Sequence, residues 1–212
     1  LSEIPLASAQ QIEQQVSYQL QENDAVTGEV NETSVTERIV TVFNACFSPA
    51  DGLNTWLKGG FEEPFYRPAG DGQPFHQVEF TRDYPASALH EVAHWCVAGA
   101  RRRQLPDYGY WYAPDGRSPE QQAEFEIVEV KPQAIEWIFA RACGLKFRVS
   151  ADNLGAGLGP SAVFKLAIWQ QARRYCEEGA NSRVRQFAES LAQAFGRPDP
   201  LCVGLYRLED LG

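Results

Sequence analysis

His90-Glu91-Val92-Ala93-His94 sets two of the chain's three histidines four residues apart, with a glutamate beside the first. Four residues of α-helix turn through about 400°, so both imidazoles leave the same face, one turn apart. That spacing lets two rings grip one metal ion. Glu91 is placed to reach a metal-bound water from the side and act as a general base. The bland alternative is a helix that carries two core or surface histidines with no metal.

A catalytic divalent metal needs a third protein ligand and an open position. His76, the remaining histidine, is one source. The segment 123–130, Ala-Glu-Phe-Glu-Ile-Val-Glu-Val, is a better one. Phe125, Ile127, Val128 and Val130 make it apolar on most sides, which predicts a buried helix. Carboxylates there are costly unless paired or bound to metal. Glu126 and Glu129 are three apart and share a face. Glu129 is preferred, because it lies in the densest apolar stretch and at the kink expected near Pro132; Glu126 is its alternative. A set of two histidines and a carboxylate serves two chemistries. With zinc it activates water, as in a gluzincin-type metallopeptidase with Glu91 as base. With iron(II) and open positions it is the facial triad of oxygenases. Spacing does not choose between them.

These residues need elements to hold them. Residues 86–98 read as the metal helix, with Pro85 in its first turn and Gly99 as its stop. Residues 76–81 alternate, with Val78 and Phe80 on one side, and predict a strand just ahead of it. Ser34 with Glu37, and Ser118 with Gln121, are capping boxes that open two further helices, the second with Pro119 at its first position. Pro132 should kink that second helix near 128–132, and Gly144 ends it. Two more helices are expected at 163–176 and 183–194. Residues 48–75, rich in Gly, Pro and Asp, read as loop. Residues 8–22 could form a thin amphipathic helix, and residues 1–33 read as an N-terminal extension to a metal-binding catalytic domain at 34–212. The expected class is α+β, mainly helical, with a small antiparallel sheet beside the metal helix. Its edge strand at 76–81 could receive an extended peptide.

Composition narrows the partners. A net charge of −9 argues against direct nucleic-acid binding, which needs phosphate neutralisation, and suits a cationic substrate. No apolar run is long enough to span a membrane. The five cysteines are dispersed and lack CxxC spacing, which points away from a disulfide framework and toward a reducing compartment, the cytosol. No signal-peptide pattern is visible.

The segment Ser87-Ala88-Leu89-His90-Glu91-Val92-Ala93-His94-Trp95-Cys96-Val97-Ala98-Gly99 resembles the core of the bacterial elongation factor P hydroxylase family. Asp107-Tyr108-Gly109-Tyr110-Trp111-Tyr112, Pro114-Asp115-Gly116-Arg117, Phe125-Glu126 and Val128-Glu129-Val130-Lys131-Pro132-Gln133-Ala134 resemble it too. So do Val149-Ser150 and Asp152-Asn153-Leu154. The likeness runs over about residues 36–180 and is carried by separated motifs, which makes it far more specific than HExxH alone.

The resemblance implies a zincin-like fold put to oxidative use. It implies hydroxylation of the β-lysylated lysine of elongation factor P, the last step of that modification. The metal ligands would be His90, His94 and Glu129. Iron(II) would be the metal, zinc being possible in isolated protein, and dioxygen the co-substrate. Zinc has no redox chemistry of its own to offer. A hydroxylase needs no hydrolytic base, so Glu91 would keep a proton-transfer or supporting role.

Tyr110, with Tyr108, Trp111 and Tyr112, could wall a cationic lysyl chain by cation–π contact, or simply pack as a core-and-rim cluster. Asp152 could bind the substrate amine, or cap a turn. Glu126, if not the ligand, could meet the basic substrate. Arg101, Arg102 and Arg103 could stabilise the C-terminal end of the metal helix or touch an acidic partner.

Overall fold

The computed structural model describes residues 34–48, 53–70, 72–109, 117–151 and 159–211. The expected helix at 8–22 lies outside them. Helix α1 (Val35–Phe47) opens on the predicted capping box. The Ser34 side chain accepts from the Glu37 N–H, and the Glu37 carboxylate accepts from the Ser34 N–H. Its apolar stripe, Ile39, Val42, Phe43 and Cys46, is fully buried.

Three strands follow: β1 (Thr55–Phe61), β2 (Phe65–Arg67) and β3 (His76–Thr81). The loop expected at 48–75 therefore contains two strands. The sheet is also mixed rather than antiparallel. Its order is β1-β3-β2, with β3 parallel to β1 and antiparallel to β2. So residues 76–81 form the central strand and not an edge. Val78 and Phe80 are each 1% exposed, and both flanks of β3 are already paired, so it has no free edge for an added peptide.

A bulge explains why β1 is hidden in the sequence. Lys58 pairs with Glu79 and Phe61 with Thr81, so β1 spends one residue more than β3 over the same step. Gly59 and Gly60 fill that step and read as loop. Gly60 has φ 94, open to glycine, and a Cβ on Gly59 would lie 2.5 Å from the Phe80 ring. Asn44 of α1 then clasps β1: its Oδ1 accepts from the Leu57 N–H at 2.8 Å and its Nδ2 donates to the Leu57 carbonyl at 3.4 Å.

Helix α2 (Pro85–Val97) carries the HExxH residues, and its start is tied to β3 by the Thr81 N–H donating to Ser87 Oγ at 3.1 Å. Short 3-10 turns follow at Arg102–Gln104 and Pro106–Gly109. Helix α3 (Pro119–Cys143) starts on the predicted Ser118/Gln121 box and stops at Gly144, whose φ is 70. It runs unbroken past Pro132, which is buried. Helices α4 (Ala162–Glu177) and α5 (Ser182–Ala194) match expectation within a residue. Five helices and a three-stranded sheet among the described residues bear out the α+β class.

The described residues fall into two compact units, one from within 34–92 with 100–108 and one from within 93–99 with 109–211; the continuous helix α2 contributes to both. The first unit closes α1 over β1, with Phe43, Phe47, Leu57 and Phe80 in its core. The second packs α4 and α5 on α3, around Ile138, Phe139, Ile168 and Phe187.

Gly59→Ala forces the Phe80 ring or the Arg82 carbonyl to move. It should lower the stability measured by urea unfolding by about 1–3 kcal/mol.

Candidate metal centre

The end of α2 is held by the other end of the sequence. The last carbonyls of a helix lack intrahelical donors. Here Arg183 donates to the Cys96 and Ala98 carbonyls at 2.9 and 2.8 Å, and Asn181 donates to the Cys96 carbonyl at 3.1 Å. The Arg183 guanidinium also lies over the Trp95 ring, 4.8 Å from its centroid. Arg183 thus stabilises that helix end. Arg102 donates to the Tyr108 carbonyl, and the Arg103 carbonyl accepts from the Tyr66 hydroxyl. Sequence reasoning missed Arg183, because nothing local marks a contact 85 residues away.

His90 and His94 project from one face of α2, both partly buried. Glu91 is likewise partly buried. Glu129 of α3 is 2% exposed, and its Oε1 stands 3.2 Å from His94 Nε2. Ligand atoms of His90, His94 and Glu129 all lie within 4.8 Å of one another. Two donors about 2.1 Å from one ion stand about 3.0 Å apart at a right angle and about 3.4 Å apart at a tetrahedral angle. The His94–Glu129 distance falls between those values. Two imidazoles and a buried carboxylate suit a divalent transition metal, so the residues present fit a bound ion.

Glu129 is buried for a reason other than the one the sequence suggested. The helix around it is not apolar all round: Ile127 is 73% exposed and Val128 41% exposed. Glu129 points inward because it falls one turn from Phe125 and from Gln133, both buried. Glu126 turns elsewhere. Its carboxylate accepts from the Ser161 N–H at 3.2 Å and the Ser161 hydroxyl at 2.6 Å, at the start of α4. Tyr110 and Asp152 lie outside the described residues, as do Trp111 and Tyr112. Tyr108 is a core ring, 5% exposed and stacked 4.3 Å from Tyr66.

His76 serves the first unit. Its Nδ1 accepts from the Ala69 N–H at 3.1 Å and lies 2.9 Å from the Tyr66 hydroxyl. Burial, with the positive charge of Arg103 adding to it, lowers the His76 pKa and keeps the ring neutral.

Two comparisons with known proteins bear on this arrangement. The chain matches the family described as Elongation factor P hydroxylase over residues 42–203. That stretch is most of the molecule and holds His90, His94 and Glu129. The chain belongs to the elongation factor P hydroxylase family. Among curated members, it is 46% identical over 165 residues to the "Elongation factor P lysine hydroxylase" of Haemophilus influenzae, an alignment covering 78% of this chain and 92% of that relative. Family membership places the HExxH motif in a hydroxylase rather than a peptidase. No described helix is long and apolar enough to cross a membrane.

Neutral His76 gives a pH-dependent contribution with a definite sign. The unfolded ring takes up a proton near pH ~6.5, and the folded ring only at lower pH. Its stabilising contribution is complete above that value and is lost as pH falls through the folded pKa. The wild-type urea midpoint should fall between about pH 7.5 and about pH 5.5, and the His76→Asn variant should fall less.

Proposed function

We propose that this chain is an iron-dependent hydroxylase of elongation factor P, acting on the β-lysylated lysine as the final step of that modification, in the cytosol. The observation that carries the reading is the family match, which spans a His-His-Glu cluster whose glutamate is buried. In this reading the metal ligands are His90, His94 and Glu129, and the enzyme is an oxidoreductase of monooxygenase type. Iron(II) held there supplies the redox chemistry that zinc lacks, with dioxygen as co-substrate and a reductant providing two electrons as the second oxygen atom leaves as water.

The chain's own residues then have three tasks. His90 and His94 would hold two ligand positions from one face of a single helix. Glu129 offsets the ion's charge from a site shielded from water. Glu91 orients or passes a proton beside the ligands. Tyr110 and Asp152 are the proposed contacts to the cationic side chain, by ring face and carboxylate. Glu126 is the third, though it must share its carboxylate with Ser161. The net charge of −9 favours approach of a lysine-derived chain and disfavours direct nucleic-acid contact. An HExxH helix followed by a glutamate on a later helix supports a zincin-like arrangement in the catalytic domain, residues 34–212, with residues 1–33 as its extension.

The test is intact-mass analysis of β-lysylated elongation factor P incubated with the protein, iron(II), a reductant and air. A gain of one oxygen is expected, and none with His90→Ala. Glu91→Gln should retain hydroxylation, with a loss well below the ~10²-fold or more that removal of a general base costs. Peptide cleavage by the zinc-loaded protein, abolished in Glu91→Gln, would overturn the reading in favour of a metallopeptidase.

A further inference from the structure

Gln133 lies one turn beyond Glu129 on the same face of α3 and is 1% exposed. A buried primary amide must place one acceptor and two N–H donors. Ser150 takes the acceptor and one donor: its N–H donates to Gln133 Oε1 at 3.1 Å, and its carbonyl accepts from Gln133 Nε2 at 2.8 Å. This reciprocal pair fixes which way the amide faces. A flip would set oxygen against the Ser150 carbonyl and nitrogen against its N–H. The direction of the second N–H is thereby settled, and it meets Glu129 Oε2 at 3.4 Å. The other carboxylate oxygen, Oε1, is the one 3.2 Å from His94 Nε2.

We propose that Gln133 is a positioning residue that reserves one oxygen of Glu129, so that this carboxylate presents a single oxygen to the metal. The proposal rests on the reading of Glu129 as a ligand. A carboxylate free to rotate can bind through both oxygens and occupy two coordination positions. One held by Gln133 occupies one and leaves the other for a co-substrate. The backbone of Ser150 makes the restraint stiff, because a main-chain N–H and carbonyl cannot swing away as a side chain can. Partners of this kind typically change metal affinity by ~10–100-fold when removed.

The experiment uses the full chain with cobalt(II) as a spectroscopic probe. Gln133→Met keeps the length and removes every hydrogen bond of the amide. Its cobalt(II) affinity, read by competition with a chromophoric chelator, should fall by ~10–100-fold. Its visible absorption bands should weaken, as the site gains a coordinated oxygen. The metal-free thermal midpoint reports folding separately. If Gln133→Met does not fold, Gln133→Leu likewise lacks the donor to Glu129, adds no charge beside the site, and should give the same losses. Unchanged affinity and bands in a folded variant would overturn the proposal. A Glu129→Ala variant separates the two levels. If it binds cobalt(II) as tightly as wild type, the ligand reading fails. If it binds weakly while Gln133→Met does not, the positioning role alone fails. When both hold, adding Gln133→Met to Glu129→Ala should cost no further affinity.

Discussion

Burying the Glu129 carboxylate is the constraint on which the site depends. An ionised carboxylate taken out of water is costly unless charge or hydrogen bonds replace its hydration. At 2% exposure Glu129 has little water to fall back on. His94 and Gln133 face its two oxygens in this structure. The fold supplies that environment from few parts: a helix long enough to carry Glu129 and Gln133 on one face, and a backbone segment at Ser150 that fixes Gln133. A cation placed among His90, His94 and Glu129 would complete the compensation. The second unit is thus arranged around an electrostatic cost as much as around its apolar core.

The metal helix needs its own anchorage, because a ligand set is only as well placed as the helix end that bears it. The C-terminal turn of α2 carries His94 and ends in carbonyls that α2 cannot satisfy. Asn181 and Arg183 satisfy them, and Asn181 also caps α5, accepting from the Val184 N–H at 3.2 Å. One residue therefore closes two helix ends, and the packing of α5 becomes part of how the site is held.

What the sequence disclosed follows from how far each signal reaches. The helix starts at Ser34 and Ser118 were legible, since a capping box is complete within four residues. The HExxH face was legible for the same reason. The sheet was not. Its strand order depends on pairings between residues 55–61 and 76–81, and the Gly59-Gly60 bulge disguised the first of these strands as loop. Glu129 was picked out partly on a mistaken premise, because Ile127 and Val128 are exposed. Gln133 lay within a quoted motif, yet its partner Ser150 is 17 residues on, beyond the reach of a local pattern.

The central position of β3 bears on the order of assembly. The two outer strands precede it in the chain and do not pair with each other, so neither has a partner in the sheet until residue 76 or beyond has been made. Such non-local pairing is intrinsically slow. Because β3 leads within a few residues into α2, the strand that completes the sheet is followed at once by the helix carrying the histidines. On a ribosome, the sheet and the first two ligands would come together within one short stretch of elongation, so a chain that has not yet reached β3 has neither a completed sheet nor a histidine pair with which to capture metal.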